Sequence, residues 1–409
     1  MDERAQNSGP LAGVRITEFT SAWAGPYATC LLGFLGAEVI KVESRRRVDH
    51  ARMLAFSTGK VFSSPDESPV FDNLNLNKRS VSLNLSKPQA VEIAKRVAGL
   101  SDVVVENMRP GVVPRLGLGY EVLREIKPDL IYLSSSSCGQ VGPEREYVGY
   151  APTFAAMAGL SYVTGYEDWP PSNFMGAIDL RSANTSAFAI LAALIYRQRT
   201  GKGQYIDLAS QESIAVLIGD QLIDYIMNQR VPTRHGNQDD LMAPHDCYPC
   251  QGEDRWISIA VADAEEWRAL CNVLDRPDLA DDPRYAQAEG RRAHREALDA
   301  AISAWTRRHP PQEAMALLQA AGVAAAPSFS SEDLYKDPHL TARKALIQVD
   351  HPNIGQDWVV NVPWRLSETP ASIRRHSPLL GEDNAYIFQE LLGMTEEEVQ
   401  TLAEEQVIY

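Results

Sequence analysis

"GVRITEFTSAWAGPYATCLLGFLGAEVIKVE", residues 13–43, decides the fold. "GVRITEFT" (13–20) reads as a short strand. In "GPYATCLLGFLG" (25–36), Pro26 suits the first turn of a helix and Gly36 its C-terminal cap. "AEVIKVE" (37–43) is a second strand, so the order is β-α-β, the unit of a parallel sheet. The pattern recurs in "SVSLNL" (80–85), a helix opened by Ser86 and Pro88, and "DVVVEN" (102–107). A helix near 120–126 then leads to "LIYLSSSS" (130–137). The first third is therefore α/β and doubly wound, and ligands are expected beyond the carboxyl ends of the strands.

Further along, helices are expected at 183–198 and over about 210–229, with a strand in "TGKGQYIDLA" between them. Residues 230–255 are rich in turn formers, "RWISIAVA" (255–262) is a strand, and 264–325 is mostly helical. Strand-like runs return over 340–368, and an acidic helix closes the chain. The middle reads as an insertion between two parts of a larger domain. The expected division is 1–225 for the first part of the large domain, 226–328 for the small domain, and 329–409 for the return.

The 409 residues suffice for two such domains. A net charge of −15 speaks against nucleic-acid partners and anionic membranes, while local arginines can still attract an anion. The five scattered cysteines suggest a reducing compartment. The opening "MDERAQNSGP" has no apolar core, and the longest apolar run is short of a membrane span. A soluble cytoplasmic protein is expected.

Several motifs invite chemistry and fail its requirements. "LGLGYEVLREI" has two glycines before a helix but follows no strand directly and lacks a third glycine. "CYPC" (247–250) lacks two further ligands for a metal, and Pro249 with the following strand argues against a redox pair. "SSSSCGQVG" (134–142) has hydroxyls to bond a ligand but no nucleophile elbow. "ESRRRVDHAR" (43–52) is either a solvated basic loop or a phosphate site, since arginine forks match phosphate oxygens. No metal site is expected.

One carboxylate stands out in "FMGAIDLRSANTSAFAILAALIYRQR" (174–199). Asp179 precedes an apolar helix, as an N-cap would. Gly176 and Ala177 beside it are small and leave room for an approaching group. A helix N-terminus favours the anion, and an ionised, accessible carboxylate can be a covalent nucleophile. Cap and nucleophile both remain open on pattern alone.

Six segments in order make the chain resemble the class III CoA-transferases, the family of formyl-CoA transferase and carnitine CoA-transferase. They are "AGPYATCLLGFLGAEVIKVE", "NLNKRSVSLNL", "VVVENMRPGVVPRLGLGYE", "LIYLSSSSCGQVGP", "RTGKGQYIDLA" and "SPLLGED". The resemblance runs from about residue 10 to residue 405. It implies a Rossmann-like large domain, a smaller α+β domain and an interlocked ring-like dimer, or a heteromer with a related subunit. It implies that Asp179 accepts the acyl group, giving an aspartyl–acyl anhydride and then an aspartyl-CoA thioester. CoA thioesters would be substrates, with no permanently bound cofactor. Ala22, Leu83, Asn107, Met108 and Arg115 match CoA-contacting positions, and Trp23 would lie near the acyl group.

The chain also departs from the family's pattern. Ser44 stands where an arginine commonly follows the second strand, with Arg45 one place later, and Ser86 stands where a lysine is often found. "RHGNQDDLMAPHD" replaces the glycine-rich lid of formyl-CoA transferase, so oxalate is not the expected acceptor. Arg181 reads either as a clamp for a second carboxylate or as a surface residue. His245 reads as a loop residue or a substrate contact. Trp23, Tyr147, Tyr150, Phe154 and Trp169 either line an acyl pocket or pack a core. A likeness to transferases acting on benzylsuccinate-type acids implies succinyl-CoA as donor and an aryl- or alkyl-substituted succinate as acceptor. The rival readings are an acyl-CoA racemase of the same fold and a non-catalytic CoA-binding subunit. Racemases carry a histidine–aspartate pair where this chain has Tyr150 and Ala151.

Overall fold

A computed structural model describes residues 9–54, 64–174 and 176–409. The polar opening that bears on a signal peptide lies, through residue 8, outside the described residues, as does Met175 beside Gly176. Six strands form one sheet: β1 (Arg15–Phe19), β2 (Glu38–Glu43), β3 (Lys78–Ser82), β4 (Val103–Glu106), β5 (Ile131–Ser136) and β6 (Gln204–Ala209). Their spatial order is β3-β2-β1-β4-β5-β6, with every neighbouring pair parallel. Order reverses between β1 and β4, which makes the crevice beyond their carboxyl ends the expected ligand site.

The helices that follow in the chain are α1 (Ala24–Phe34), α2 (Pro69–Leu74), α3 (Pro88–Gly99), α4 (Val112–Arg115) and α5 (Tyr120–Ile126). After β5 come α6 (Ala151–Met157), α7 (Leu160–Val163) and α8 (Ala177–Thr200), and after β6 come α9 (Ser210–Ala215) and α10 (Gly219–Asn228). Strand alternation sends side chains to two covered faces. Val104 and Tyr132 join α3 and α5 in one core, while Val103, Val105, Ile131 and Leu133 join α1 and α8 in another. Helix α3 buries Ala90, Ile93, Ala94, Val97 and Ala98, the spacing of one helical face. Lys87, and not Ser86, is its N-cap residue, with Pro88 at the start of the helix.

The chain divides into two compact units. The first comprises Met1–Ser161, Asn173–Val231 and His339–Tyr409; the second comprises Tyr162–Ser172 and Pro232–Pro338. In the first, the C-terminal return forms an antiparallel hairpin, Leu346–His351 with Gly355–Val360, and a bridge from Ile408 to Leu83. In the second, three antiparallel strands (His245–Pro249, Trp256–Ala260, Ala324–Pro327) pack on helices through Tyr248, Ile257, Trp267, Leu270, Ile302 and Leu318. "HDCYP" is thus a strand within the stretch read as turns. All five cysteines are free, and Cys250 is buried.

Two differences from the sequence reading matter for the site. Helix α8 begins at Ala177, well before residue 183, because Gly176 adopts φ +69° at its N-cap. By length and composition α8 could cross a membrane, but it buries Ile178, Ala183, Ala187, Ile190 and Ala193 and packs along α1. The run 210–229 breaks at Val216–Ile218, a 3-10 turn, into α9 and α10.

Candidate active site

The loop after β1, Thr20–Trp23, sits where strand order reverses. It is pinned from both neighbouring strands. From the β4 side, Asn107 Oδ1 accepts from Ser21 N at 2.8 Å, and Asn107 Nδ2 donates to the Ser21 carbonyl at 2.8 Å. From the β2 side, Asp49 Oδ1 accepts from Ala22 N at 2.8 Å and from Ser21 Oγ at 3.1 Å. Ala22 has φ +68°, a left-handed conformation that costs an L-residue roughly 1–2 kcal/mol. Gly25 at the start of α1 is required by proximity: a Cβ there would lie 2.8 Å from Asn107 Cγ and 2.9 Å from Thr20 Cβ. Gly25→Ala is therefore expected to push the two loops apart and raise the KM for an acyl-CoA on the order of tenfold or more, as steady-state kinetics would show.

Trp23 ends this loop and packs beside Ala51, Phe71 and Leu74. It faces the start of α8: a Cβ on Gly176 would be 3.8 Å from Trp23 Cζ3. Asp179 lies one turn on, within α8, so it is not the helix cap that pattern suggested. Gly176 holds that position without a side-chain hydrogen bond. Asp179 is partly buried, and burial pushes its carboxyl up to about 6. Among the described residues it has no hydrogen-bond donor and no cation. It stays mostly ionised at neutral pH, beside first-turn N–H groups that favour a negative charge.

Basic groups stand on both sides of β1 at the same edge of the sheet. After β2, Ser44 is half-buried, its hydroxyl accepting from Arg46 N at 3.3 Å, and Arg45, Arg46 and Arg47 are exposed without ion pairs among the described residues. After β4, Arg109 and Arg115 are exposed. Gly111, at φ +78°, leaves space that Arg115 Nη1 fills, 2.8 Å from where a Cβ would stand. The fourth arginine of the basic run behaves differently. Arg52 is buried against Glu43 at 2.8 Å and Asp66 at 2.7 Å, with Phe71 under its guanidinium, so it is structural and not a phosphate ligand.

The other predicted residues scatter. Leu83 is fully buried in the core, so its side chain is not offered to a ligand, and Met108 is half-buried against the same core. Tyr150 is 72% exposed at the start of α6, its ring 6.3 Å from that of His50. Tyr147 and Trp169 are exposed as well, which removes the core-packing reading for both, whereas Phe154 packs with Ala151, Ala155 and Ile214. Arg181 is exposed, and its Nε donates to the Ser213 carbonyl at 3.4 Å. His245 belongs to the second unit, with Nδ1 2.5 Å from the Asn237 carbonyl oxygen. Ser136 Oγ and Thr20 Oγ1, at the ends of β5 and β1, are buried without a partner among the described residues. Among the described residues no group of three or more His, Cys, Asp or Glu side chains is placed to hold a metal.

Sequence reading passed over a buried charge network behind the loop. Lys41 Nζ reaches Asp49 Oδ2 at 2.8 Å, the Thr20 carbonyl at 2.9 Å and Glu18 Oε1 at 3.3 Å. Lys78 Nζ reaches Glu18 at 2.9 Å, and the Thr29 hydroxyl donates to the same carboxylate. Burial alone would raise Glu18, but Lys78 and Lys41 outweigh it and hold the carboxyl below its usual range. The available signal was charge inside buried strands: Glu18 in "RITEF", Lys41 in "EVIKVE" and Lys78 in "KRSVS".

The fold is α/β, and its candidate site combines exposed arginines with a half-buried carboxylate that is unpaired among the described residues. The chain belongs to CoA-transferase family III, which it matches over residues 11–384, and it is a CoA-transferase. It is 34% identical over 400 residues to the succinyl-CoA–D-citramalate CoA-transferase of Chloroflexus aurantiacus, covering 98% of both chains. It is 33% identical, again covering 98% of both, to the beta subunit of the succinyl-CoA–L-malate CoA-transferase of the same organism. Among solved structures, a CAIB/BAIF family protein from Brucella suis matches with a TM-score of 0.85 and 31% identity, over 94% of this chain and 100% of that one.

Proposed function

We propose that the protein moves CoA from succinyl-CoA to a short, substituted dicarboxylic acid, with Asp179 as the covalent acceptor. The observation that carries this reading is the state of Asp179: reachable, mostly ionised at neutral pH, and unpaired among the described residues. The carboxylate attacks the thioester carbonyl, the C–S bond breaks, and CoA leaves as thiolate. The resulting aspartyl–succinyl anhydride is attacked by the thiolate at the aspartyl carbonyl, releasing succinate and leaving aspartyl-CoA. The acceptor carboxylate displaces the thiolate in turn, and thiolate attack on the new anhydride gives acceptor-CoA and free Asp179. One thioester replaces another, so no nucleotide hydrolysis is required. Burial beside Trp23 would limit water, which would otherwise hydrolyse the anhydride. First-turn N–H groups of α8 are suited to the developing oxyanion.

CoA would lie across the switch point, with Ala22, Asn107 and Met108 near its centre and Ser44, Arg45 and Arg115 toward its phosphates. The names of the two relatives support the substrate class, since malate and citramalate are both substituted succinates. Trp23 and Tyr150 would bound the acyl end, with Arg181 as a candidate for a second carboxylate. The large domain would bind CoA, and the residues between its two parts would form the small domain. Leu222, Ile223, Ile226 and Met227 of α10 are exposed, and they support a second copy of the chain, in an interlocked dimer, as the partner. A soluble, cytoplasmic enzyme fits this chemistry.

Incubation with succinyl-CoA and a panel of mono- and dicarboxylic acids, read by mass spectrometry, tests the substrate reading. New thioesters of substituted succinates are expected, and conversion of monocarboxylic acids alone would overturn it. The pH dependence follows from Asp179. Its carboxyl is raised to about 6, so the nucleophile is present above that value and lost below it. Initial rates at limiting acyl-CoA are expected to fall about tenfold per unit as pH drops below about 6.

A further inference from the structure

We propose that Asp49 is a positioning residue for acyl transfer: it holds Ala22 in its left-handed conformation and thereby fixes Trp23 against the start of α8. This rests on the reading of Asp179 as acyl acceptor and extends it to a residue that touches no substrate. One carboxylate oxygen, Asp49 Oδ1, accepts from three donors: Ala22 N at 2.8 Å, Ala51 N at 2.9 Å and Ser21 Oγ at 3.1 Å. Ser21 Oγ in turn accepts from His50 N at 3.1 Å, closing the loops after β1 and β2 on one another. The other oxygen faces Lys41 Nζ at 2.8 Å, and that ammonium also holds the Thr20 carbonyl at 2.9 Å. Both ends of the ion pair therefore grip the same four-residue loop. Asp49 and Lys41 are both buried, so water cannot replace either contact.

The cost of Ala22's conformation gives the arrangement a purpose. An alanine left to itself would relax to negative φ, turning the following peptide and moving Trp23. Packing alone does not require an ionised aspartate here, because a neutral side chain would fill the same space. What the charge adds is a fixed direction: Lys41 orients the carboxylate so that its other oxygen meets the loop's donors. An amide at this position would turn its carbonyl to Lys41 and its NH2 to Ala22 N–H, and the loop would lose its acceptor.

The test compares the rate at which Asp179 becomes acylated by succinyl-CoA in wild type, Asp49→Asn, and Asp49→Asn with Ala22→Gly, using intact mass and peptide mapping. Asp49→Asn is expected to slow acylation at saturating succinyl-CoA about tenfold or more. Glycine adopts the left-handed conformation without help, so the double variant is expected to recover most of that loss. A wild-type rate in Asp49→Asn overturns the proposal, and so does a double variant no faster than the single one. Melting curves show whether Asp49→Asn folds. If it does not, Ala22→Val reports on the same loop with the charges intact, and an unchanged rate in it is equally fatal. If wild-type Asp179 is never acylated, the reading of Asp179 falls by itself. The role of Asp49 is then judged on acyl-CoA affinity, which Asp49→Asn must weaken and Ala22→Gly must restore.

Discussion

Asp179→Ala is expected to abolish CoA transfer, lowering kcat by at least ~10⁴-fold, the scale on which loss of a covalent nucleophile is felt. No other carboxylate among those predicted for the site is available to substitute for it. The variant should nevertheless fold. Asp179 accepts no hydrogen bond among the described residues, and burial raises its carboxyl to about 6, above the ordinary aspartate range. A carboxyl raised in the folded state disfavours folding once the pH exceeds its unfolded value, so its removal relieves a penalty at pH 7. Alanine also suits the first turn of a helix. Melting temperature at pH 7 is therefore expected to stay level or rise while activity disappears, a division typical of reactive groups. Steady-state transfer assays paired with thermal melts check both halves.

The opposite pattern is expected of Glu18→Gln. Glu18 lies on β1 with no solvent exposure, between Lys41 and Lys78, which are equally buried. The amide keeps the shape but removes the charge, leaving Lys41 with Asp49 as its ion-pair partner and Lys78 with neutral acceptors, the Pro26 carbonyl and Asn75 Oδ1. Breaking a buried pair in this way costs about 3–5 kcal/mol. On a protein of this size that is a fall in melting temperature on the order of 4–6 °C. Calorimetry checks it, and an unchanged melting temperature would show that the network contributes little. The sign with pH is fixed by the carboxyl, which its two lysines hold below its usual range. Its contribution is present above the unfolded carboxylate pKa and is lost as pH falls through the lower folded value.

Much of the fold was legible because a parallel sheet buries both faces of its strands. "RITEF", "EVIKVE" and "VVVE" read as strands at once, and the intervening helix patterns fixed the β-α-β order. Where the reading failed, a local rule was overridden. Helix α8 starts at Ala177 because a glycine at φ +69° supplies a helix entry that needs no capping side chain. "HDCYP" is a strand although His245, Asp246 and Pro249 are poor strand residues, because pairing with Trp256–Ala260 decides it. The candidate site was legible in parts. Asp179 and the "TSAWAGP" loop could be named from sequence, whereas Asp49 could not. It is 28 residues beyond Ser21, and only the folded chain brings its carboxylate to that loop. Arg52 shows the reverse: it sits in a basic run like its neighbours, yet its side chain turns inward to Glu43 and Asp66.

The central claim is that Asp179 carries the acyl group and then CoA, and hydroxylamine trapping during turnover tests it most directly. With succinyl-CoA present, the peptide containing Asp179 is expected to gain the mass of a hydroxamate at that residue, in step with loss of activity, and to stay unmodified without acyl-CoA. A protein that transfers CoA at full rate in hydroxylamine, with Asp179 unmodified, would contradict the account.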